Sequence, residues 1–282
     1  MAQATDYILD STESERDRLS YQAALVAPES RRLLTEAGIG AGQRVLDLGS
    51  GVGDLALLAA EFVGPTGTVR GIDRDPAQTA HAQGRADALG LDQVRFETSD
   101  LMSYHADMPF DAVIGRFVLV HNPHLDAMID HVASLVRPGG VLAFHEIQAG
   151  PDWRIAAWPE HITPAGVAAG VAVMQRMVAE ATGGGDLAWR LPASLARLGQ
   201  VKARYARRIE VGRDAVHRQL DYLAETVGSA IRHAVAFGMA REGEFDVATM
   251  KAEIAALMAR PEAECVTSMA PPEVLAFVRL PD

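Results

Sequence analysis

The 282-residue chain carries 26 Lys and Arg residues against 37 Asp and Glu residues, which gives a formal charge of −11 at pH 7. Hydrophobic residues make up 49% and charged residues 22%, a globular composition that argues against disorder over most of the length. The acidic balance also argues against non-specific nucleic-acid binding, because that interaction needs cations to displace phosphate counterions.

The sequence indicates a cytoplasmic protein. Its single cysteine, Cys265, excludes an intramolecular disulfide. The start of the chain lacks the basic and apolar segments of a secretory signal, and no stretch approaches the roughly 18 apolar residues of a membrane span. We therefore expect neither a membrane nor a nucleic acid as a partner, and leave a homodimer open.

Short apolar runs alternate with helical patterns in the first half of the chain. The predicted helices are 12–37, interrupted at Pro28, and 54–62, 75–89 and 125–136. The predicted strands are 44–48, 68–73, 93–97, 111–115 and 141–147. Strands that are apolar on both faces and alternate with helices indicate a parallel sheet covered by helices on both sides.

The pattern changes after residue 150. The predicted elements are a loop at 151–163, a helix from Thr163, a break at 183–185, an antiparallel strand at 201–211, helices at 216–231 and 247–257, and a last strand at 274–280. Methionines on these helices either fill gaps between the helices or form an apolar cover over a pocket. They are Met174, Met177, Met239, Met250 and Met258.

The most informative segment is the turn after the first predicted strand, where Asp47 precedes Gly49, Gly51 and Gly53. Glycine permits a tight turn and the close approach of a ligand, and the following helix offers free N–H groups. A dinucleotide fingerprint would need Gly or Ala where Asp54 stands, and a phosphate loop would need a lysine. The turn therefore predicts a nucleotide-like ligand without phosphate at this point, and Asp47 suits a ligand with an ammonium group.

This acid-x-Gly-x-Gly-x-Gly motif resembles that of the class I S-adenosylmethionine (SAM)-dependent methyltransferases. The likeness covers roughly residues 40–147 and includes the segments Phe110–His121 and 137–140. It implies a Rossmann-like seven-stranded, mostly parallel sheet and SAM as the cofactor. It also implies the residues that hold SAM: Asp47, Gly49, Ser50 and Gly51 in the turn, Asp73 at the ribose, Arg74 on the adenine face, and Asp100 with Leu101 at the adenine amino group.

A narrower likeness to bacterial small-molecule methyltransferases rests on Tyr7-Ile8-Leu9, Arg18–Gln22, Trp158-Pro159 and Arg190-Leu191-Pro192. We expect Tyr7 and Gln22 to close over the cofactor and Tyr21 to line the substrate site. The expected division of the chain is an N-terminal helical cover at 1–40, a SAM-binding core at 41–163, and lid helices with the final antiparallel strands at 164–282.

Methyl transfer is an in-line displacement, so the protein mainly supplies orientation and, where needed, a base. His121 follows the fourth predicted strand at the ligand edge of the sheet and is the candidate base, with a packing or capping histidine as the alternative. Glu146 is the second catalytic candidate, unless it caps loop amides. Both residues are also substrate-site candidates, together with Trp158 and His161. The backbone carbonyl of Arg116 is expected to meet the cofactor's ammonium group, with a side chain that simply pairs with an acid as the alternative.

Two further features have simpler explanations. His121, His124 and Asp126 are metal-ligand residue types, but the spacing offers no convincing further ligand, and we predict no metal. The basic run at 204–208 is better explained as a solvated edge strand than as a nucleic-acid site.

The sequence thus predicts a SAM-dependent methyltransferase that acts on a small aromatic or apolar metabolite in a helix-covered pocket. The alternatives are a quinone- or lipid-like acceptor, a nicotinamide-dependent reductase, and a SAM-binding regulator without turnover.

Overall fold

The computed structural model describes residues 13–148, 164–181, 186–236, 240–241, 243 and 246–282. Its contacts divide the chain into two units. The sheet unit comprises Leu19–Gln148, Ala181–Ala206 and Glu273–Asp282, and the helical unit comprises Met1–Arg18, Ala149–Glu180 and Arg207–Pro272. The domain bounds expected from the sequence stay a prediction.

Strands and helices alternate along the first half of the chain. The described strands are β1 (Arg44–Leu48), β2 (Thr68–Asp73), β3 (Val94–Thr98), β4 (Phe110–Arg116), β5 (Val136–Ile147), β6 (Val201–Ala206), β7 (Ile209–Val211), β8 (Thr267–Met269) and β9 (Glu273–Arg279). The described helices are α1 (Glu13–Ala37), α2 (Asp54–Val63), α3 (Pro76–Ala88), α4 (Leu125–Ser134), α5 (Ala165–Ala181), α6 (Leu187–Ala196), α7 (Arg213–Ala236) and α8 (Val247–Met258).

Seven strands form one sheet in the order β3-β2-β1-β4-β5-β9-β6. The pairs among β1 to β5 are parallel, whereas β9 runs antiparallel to both β5 and β6. The predicted α/β class, with a seven-stranded and mostly parallel sheet, is confirmed. The strand order reverses between β1 and β4, so a crevice opens at the carboxyl ends of these two strands, where open α/β sheets bind their ligands.

Apolar burial explains why these short strands form the centre of the unit. Val45, Leu46 and Leu48 of β1 are fully buried, as is the face of α2 that carries Ala56 and Ala59. A central strand of this kind cannot slip in register without moving its apolar side chains to the wrong positions. The rigid sheet therefore places the residues that follow each strand.

Helix α1 continues through Pro28, so the predicted interruption there is wrong. A proline inside a helix costs about 3 kcal/mol, because it removes a backbone hydrogen bond and crowds the preceding turn. The helix nevertheless buries one face along its length, including Ala23, Val26, Leu33 and Leu34. Packing of that face offsets the local cost.

Two other predicted strands differ from the structure, which also has elements that were not predicted. The single strand predicted at 201–211 is two strands in different sheets, since β6 pairs with β9 and β7 pairs with β8. Strand β5 begins at Val136 rather than at residue 141, and α6 and β8 were not predicted. Strand β6 lies at the edge of its sheet, in agreement with the edge strand expected for the first part of the basic run.

The helical unit has an apolar core of its own. Met177, Met250 and Met258 are buried in this core, and Met174 packs against it. These four methionines therefore fill gaps between helices, and Met239 lies outside the described residues. Among the described helices, none has an apolar stretch long enough to cross a membrane.

Candidate functional site

The glycine turn connects β1 to α2 at the crevice. Gly49, Gly51 and Gly53 all have left-handed backbone conformations, with φ of 57°, 51° and 88°. A methyl group added to Gly49 would lie 2.7 Å from Val118 Cγ2, whereas one added to Gly51 would meet no atom of the described residues within 4 Å. The turn is thus packed at Gly49 and open at Gly51, which leaves bare backbone for a ligand to approach.

Asp47 is a buried carboxylate directly before the turn, with 1% of the residue exposed. Burial is the largest cause that raises its pKa to about 8, and the nearby Arg116 guanidinium opposes this rise. Among the described residues, no hydrogen-bond partner reaches Asp47 Oδ2. A buried polar atom without a partner is costly, so this oxygen is suited to a ligand that donates to it.

Asp73 ends β2 next to the same turn. Its Oδ2 accepts a hydrogen bond from Gly51 N at 2.9 Å, and its Oδ1 accepts one from Asp75 N at 3.0 Å. Burial raises the pKa of Asp73, and these two hydrogen bonds counteract the rise. Ser50 lies beside it, with its N–H bonded to Ile72 O at 2.9 Å and its buried Oγ without a partner among the described residues. The structure therefore brings Asp73, Ser50 and Gly51 together at the carboxyl end of β2.

Asp100 and Leu101 follow β3, the neighbour of β2. The exposed Asp100 accepts hydrogen bonds through Oδ1 from Met102 N at 2.9 Å and Ser103 N at 3.2 Å, and so begins the short 3-10 helix Leu101–Ser103. Leu101 is partly buried. This hydrogen bonding fixes the carboxyl group at the expected edge of the sheet.

The β4 loop, residues 117–121, follows β4 and lies on the other side of the crevice. Glu146, fully buried in β5, accepts hydrogen bonds from three successive amides of this loop. Val118 N and Leu119 N donate to Oε1 at 3.1 and 3.0 Å, and Val120 N donates to Oε2 at 3.2 Å. Burial raises the pKa of Glu146 to about 7, although the three N–H donors oppose the rise. These contacts match the alternative of a carboxylate that caps loop amides.

His121 ends the β4 loop, and its N–H donates to Val118 O at 3.3 Å. Desolvation by the surrounding protein atoms is the main cause of the lowered pKa of its imidazole, and the charge of the Arg74 guanidinium is the second. The residue is nevertheless exposed, so solvent reaches the ring and desolvation is incomplete. The lowered pKa keeps the imidazole neutral at pH 7 and makes it a weaker base than a free histidine. The structure thus brings His121 and Arg74 near each other.

Arg116 and Asp54 each lie near a residue of opposite charge. Arg116 pairs in register with His145 of β5, and its guanidinium is close enough to Asp47 to oppose the rise of that pKa. Asp54 Oδ1 accepts a hydrogen bond from Arg85 Nη2 at 2.7 Å. Its charge is therefore balanced by α3, which weakens the argument that this carboxylate alone would repel a pyrophosphate.

A buried network that sequence reasoning missed lies behind the β4 loop. His145 Nδ1 is 2.9 Å from Ser30 Oγ, and His145 Nε2 is 2.9 Å from Glu273 Oε2. Burial lowers the pKa of His145, while Glu273 opposes the change. The partners are 115 and 128 residues away along the chain, so no local pattern indicates them. The only signal was a polar residue inside the apolar run of β5.

The structure describes only some of the remaining predicted residues. Tyr21 and Gln22 are partly buried on α1, and Tyr7, Trp158 and His161 lie outside the described residues. Asp126, considered as a metal ligand, accepts a hydrogen bond from Ser194 Oγ at 2.6 Å. Its carboxylate is therefore used to attach α6 to α4.

Part of the chain is similar in sequence to known methyltransferases. Residues 39–187 match the family model described as a methyltransferase domain. A segment of 123 residues is 35% identical to an arsenite methyltransferase from Aquipseudomonas alcaligenes and covers 41% of this chain and 35% of that protein. A segment of 156 residues is 31% identical to aklanonic acid methyltransferase DauC from Streptomyces sp. (strain C5) and covers 53% of this chain and 66% of that protein. The matches thus span less than two thirds of these relatives' lengths.

Solved structures show the same architecture. The YcgJ protein from Bacillus subtilis matches 90% of this chain and 99% of its own, with a TM-score of 0.57 and 16% sequence identity. At that level of identity the likeness concerns the fold alone.

Proposed function

The chain belongs to the class I SAM-dependent methyltransferases, and from this premise we propose that it transfers the methyl group of SAM to a small metabolite. The observation that carries the proposal is the open glycine turn at Gly51, which has the buried carboxylates of Asp47 and Asp73 beside it. These groups lie at the carboxyl edge of a parallel sheet, next to the point where the strand order reverses.

The residues present fit SAM. Among the described residues, Asp47 Oδ2 and Ser50 Oγ are buried atoms without hydrogen-bond partners, and a methyl group added to Gly51 would meet no atom within 4 Å. The ammonium group and the hydroxyls of SAM are donors that such acceptors need, and a charge-assisted bond to a buried carboxylate belongs to the stronger class. SAM has no phosphate group, so its binding brings no negative phosphate close to these acids.

We assign the contacts as follows. Asp47 holds the ammonium end, Asp73 binds the ribose hydroxyls, and Asp100 with Leu101 borders the adenine. When bound, SAM supplies a methyl group already activated by its sulfonium, so the chain's main task is to orient the acceptor and exclude water. His121, neutral at pH 7, accepts the proton that the acceptor loses as its nucleophilic atom takes the methyl group.

For the acceptor we propose an aromatic or apolar small molecule. The relatives are named for arsenite and aklanonic acid, so the acceptor does not follow from family membership. The support for an aromatic or apolar acceptor is Trp158 and His161 in the sequence after β5, together with the relative named for aklanonic acid. A quinone- or lipid-like acceptor is the nearest alternative.

The test combines cofactor binding with turnover. SAM affinity is measured by calorimetry, and the full chain is then incubated with SAM and a panel of phenols, aromatic amines, quinols and long-chain acids. Mass spectrometry should detect S-adenosylhomocysteine and a product heavier by one methyl group with an aromatic or apolar member of the panel. SAM binding without release of S-adenosylhomocysteine on any acceptor would favour a regulator. Thermal stabilisation by NADH and not by SAM would favour a reductase.

A further inference from the structure

The inference concerns how the β4 loop is held at the crevice. Glu146 is fully buried, and both of its carboxylate oxygens accept hydrogen bonds from the amides of residues 118–120. Leu119 and Val120 are buried as well, so water has little access to these amides. Without the carboxylate, three successive N–H groups would lose their partner in a place where an unpaired donor is costly.

The loop held by Glu146 also forms part of the wall of the glycine turn. A methyl group on Gly49 would lie 2.7 Å from Val118 Cγ2, and one on Gly115 would lie 2.9 Å from Val118 Cγ1. Val118 therefore packs directly on the turn and on the end of β4. A shift of the loop cannot leave the turn unchanged, because close-packed side chains transmit displacement to their neighbours.

A second restraint acts on the first residue of the loop. Phe117 has φ of 56°, a left-handed conformation that is uncommon for a bulky residue. Its N–H donates to His145 O at 2.9 Å, and its ring meets the His145 ring edge-on at 5.3 Å. His145 is itself held by Ser30 and Glu273. Two consecutive residues of β5 thus hold the loop. His145 holds its first residue, Phe117, and Glu146 holds the amides of residues 118–120.

We propose that Glu146 is a positioning residue of the methyl-transfer site, whose carboxylate collects the amides of the β4 loop and so fixes Val118 on the glycine turn and His121 at the crevice. The inference rests on the proposed function for its link to SAM. It replaces a direct catalytic contact by Glu146 with an indirect one, since the carboxylate oxygens are already used by the loop.

The experiment compares Glu146→Gln with the wild-type full chain. Glutamine keeps one acceptor oxygen and puts an NH2 donor where the second oxygen met an amide, so at least one loop N–H loses its partner. We expect amide hydrogen exchange at residues 118–120 of the ligand-free protein to accelerate by about tenfold or more. We also expect the Kd for SAM to rise by about tenfold, because Val118 no longer holds the turn.

Glu146→Asp and Val63→Ala complete the design. Glu146→Asp keeps the charge on a shorter side chain and should give smaller changes than Glu146→Gln, and it serves as the test should the glutamine variant not fold. Val63→Ala removes buried apolar atoms at the end of α2, where Val63 O accepts a hydrogen bond from Gly42 N before β1, and it controls for a general loss of stability. This variant should leave both the exchange at 118–120 and the SAM affinity near wild type.

Two results would overturn the inference. One is unchanged exchange at residues 118–120 in the Glu146 variants, and the other is the same acceleration in Val63→Ala. A wild-type chain that does not bind SAM would instead refute the proposed function, while the exchange measurement would still decide whether Glu146 holds the loop.

Discussion

Replacing Asp47 with Asn should stabilise the ligand-free protein above neutral pH and weaken SAM binding at the same time. Burial raises the pKa of Asp47 from 3.8 to about 8. Between these two pH values the folded protein keeps a proton that the unfolded chain has lost. The free energy of unfolding therefore falls as the pH rises through this window, and the fall ends near pH 8.

The size of the effect follows from the width of the window. About four pH units at 1.36 kcal/mol each set a ceiling of about 5 kcal/mol for the stability lost by pH 8. Asparagine cannot ionise, so its advantage over Asp47 should grow steadily from pH 4 to pH 8. Urea unfolding of both ligand-free proteins across this range measures the difference.

Asp111→Asn is the matched control, because the pKa of Asp111 is shifted in the opposite direction to that of Asp47. The hydrogen bond from Arg44 N and the ion pair with Arg137 lower the pKa of Asp111. Its contribution to stability is therefore present above its unfolded pKa and lost as the pH falls, so the asparagine variant should be the less stable protein at neutral pH.

The same Asp47→Asn change should cost binding. At pH 8, the loss of a charge-assisted bond to the ammonium of SAM should weaken the binding free energy by on the order of 1.5–3 kcal/mol, which raises the Kd by about 10- to 150-fold. Calorimetry measures it. Parallel pH dependences of stability for the wild type and Asp47→Asn would refute the raised pKa of Asp47, and equal SAM affinities would refute the contact with the ammonium.

Three further variants test the site. Asp73→Ala should weaken SAM binding by about 2–3 kcal/mol through the lost ribose contacts, whereas Asp75→Ala, which removes the cap of α3, should leave the calorimetric affinity unchanged. His121→Ala should lower the rate of methyl transfer far more than SAM affinity, and an equal rate on the acceptor found by mass spectrometry would remove it as the base. Gly49→Ala should destabilise the chain in urea more than Gly51→Ala, since both strain a left-handed backbone by about 1 kcal/mol but only the first meets a side chain.

Local chemistry made much of the sheet unit predictable. The apolar strands β1 and β4 could only be stable in the middle of a covered sheet, and glycines at 49, 51 and 53 required a turn with positive φ. The placement of Asp47 and Asp73 at one edge of the sheet was predictable, because β1 and β2 pair in parallel. The prediction at Pro28 was wrong because local propensity was weighed without the packing of α1, which offsets it.

The sequence by itself determined the glycine turn and the acid that precedes it, because an acid and three alternate glycines after a strand act through neighbours only a few residues away. Tertiary structure alone decided what Glu146 and His145 do. Their partners, the amides of 118–120 and the side chains of Ser30 and Glu273, come from distant parts of the chain, and a carboxylate or an imidazole gives no sign in the sequence of which distant donor will reach it. Burial likewise arises only when the chain folds, and it is burial that raises the pKa values of Asp47 and Glu146.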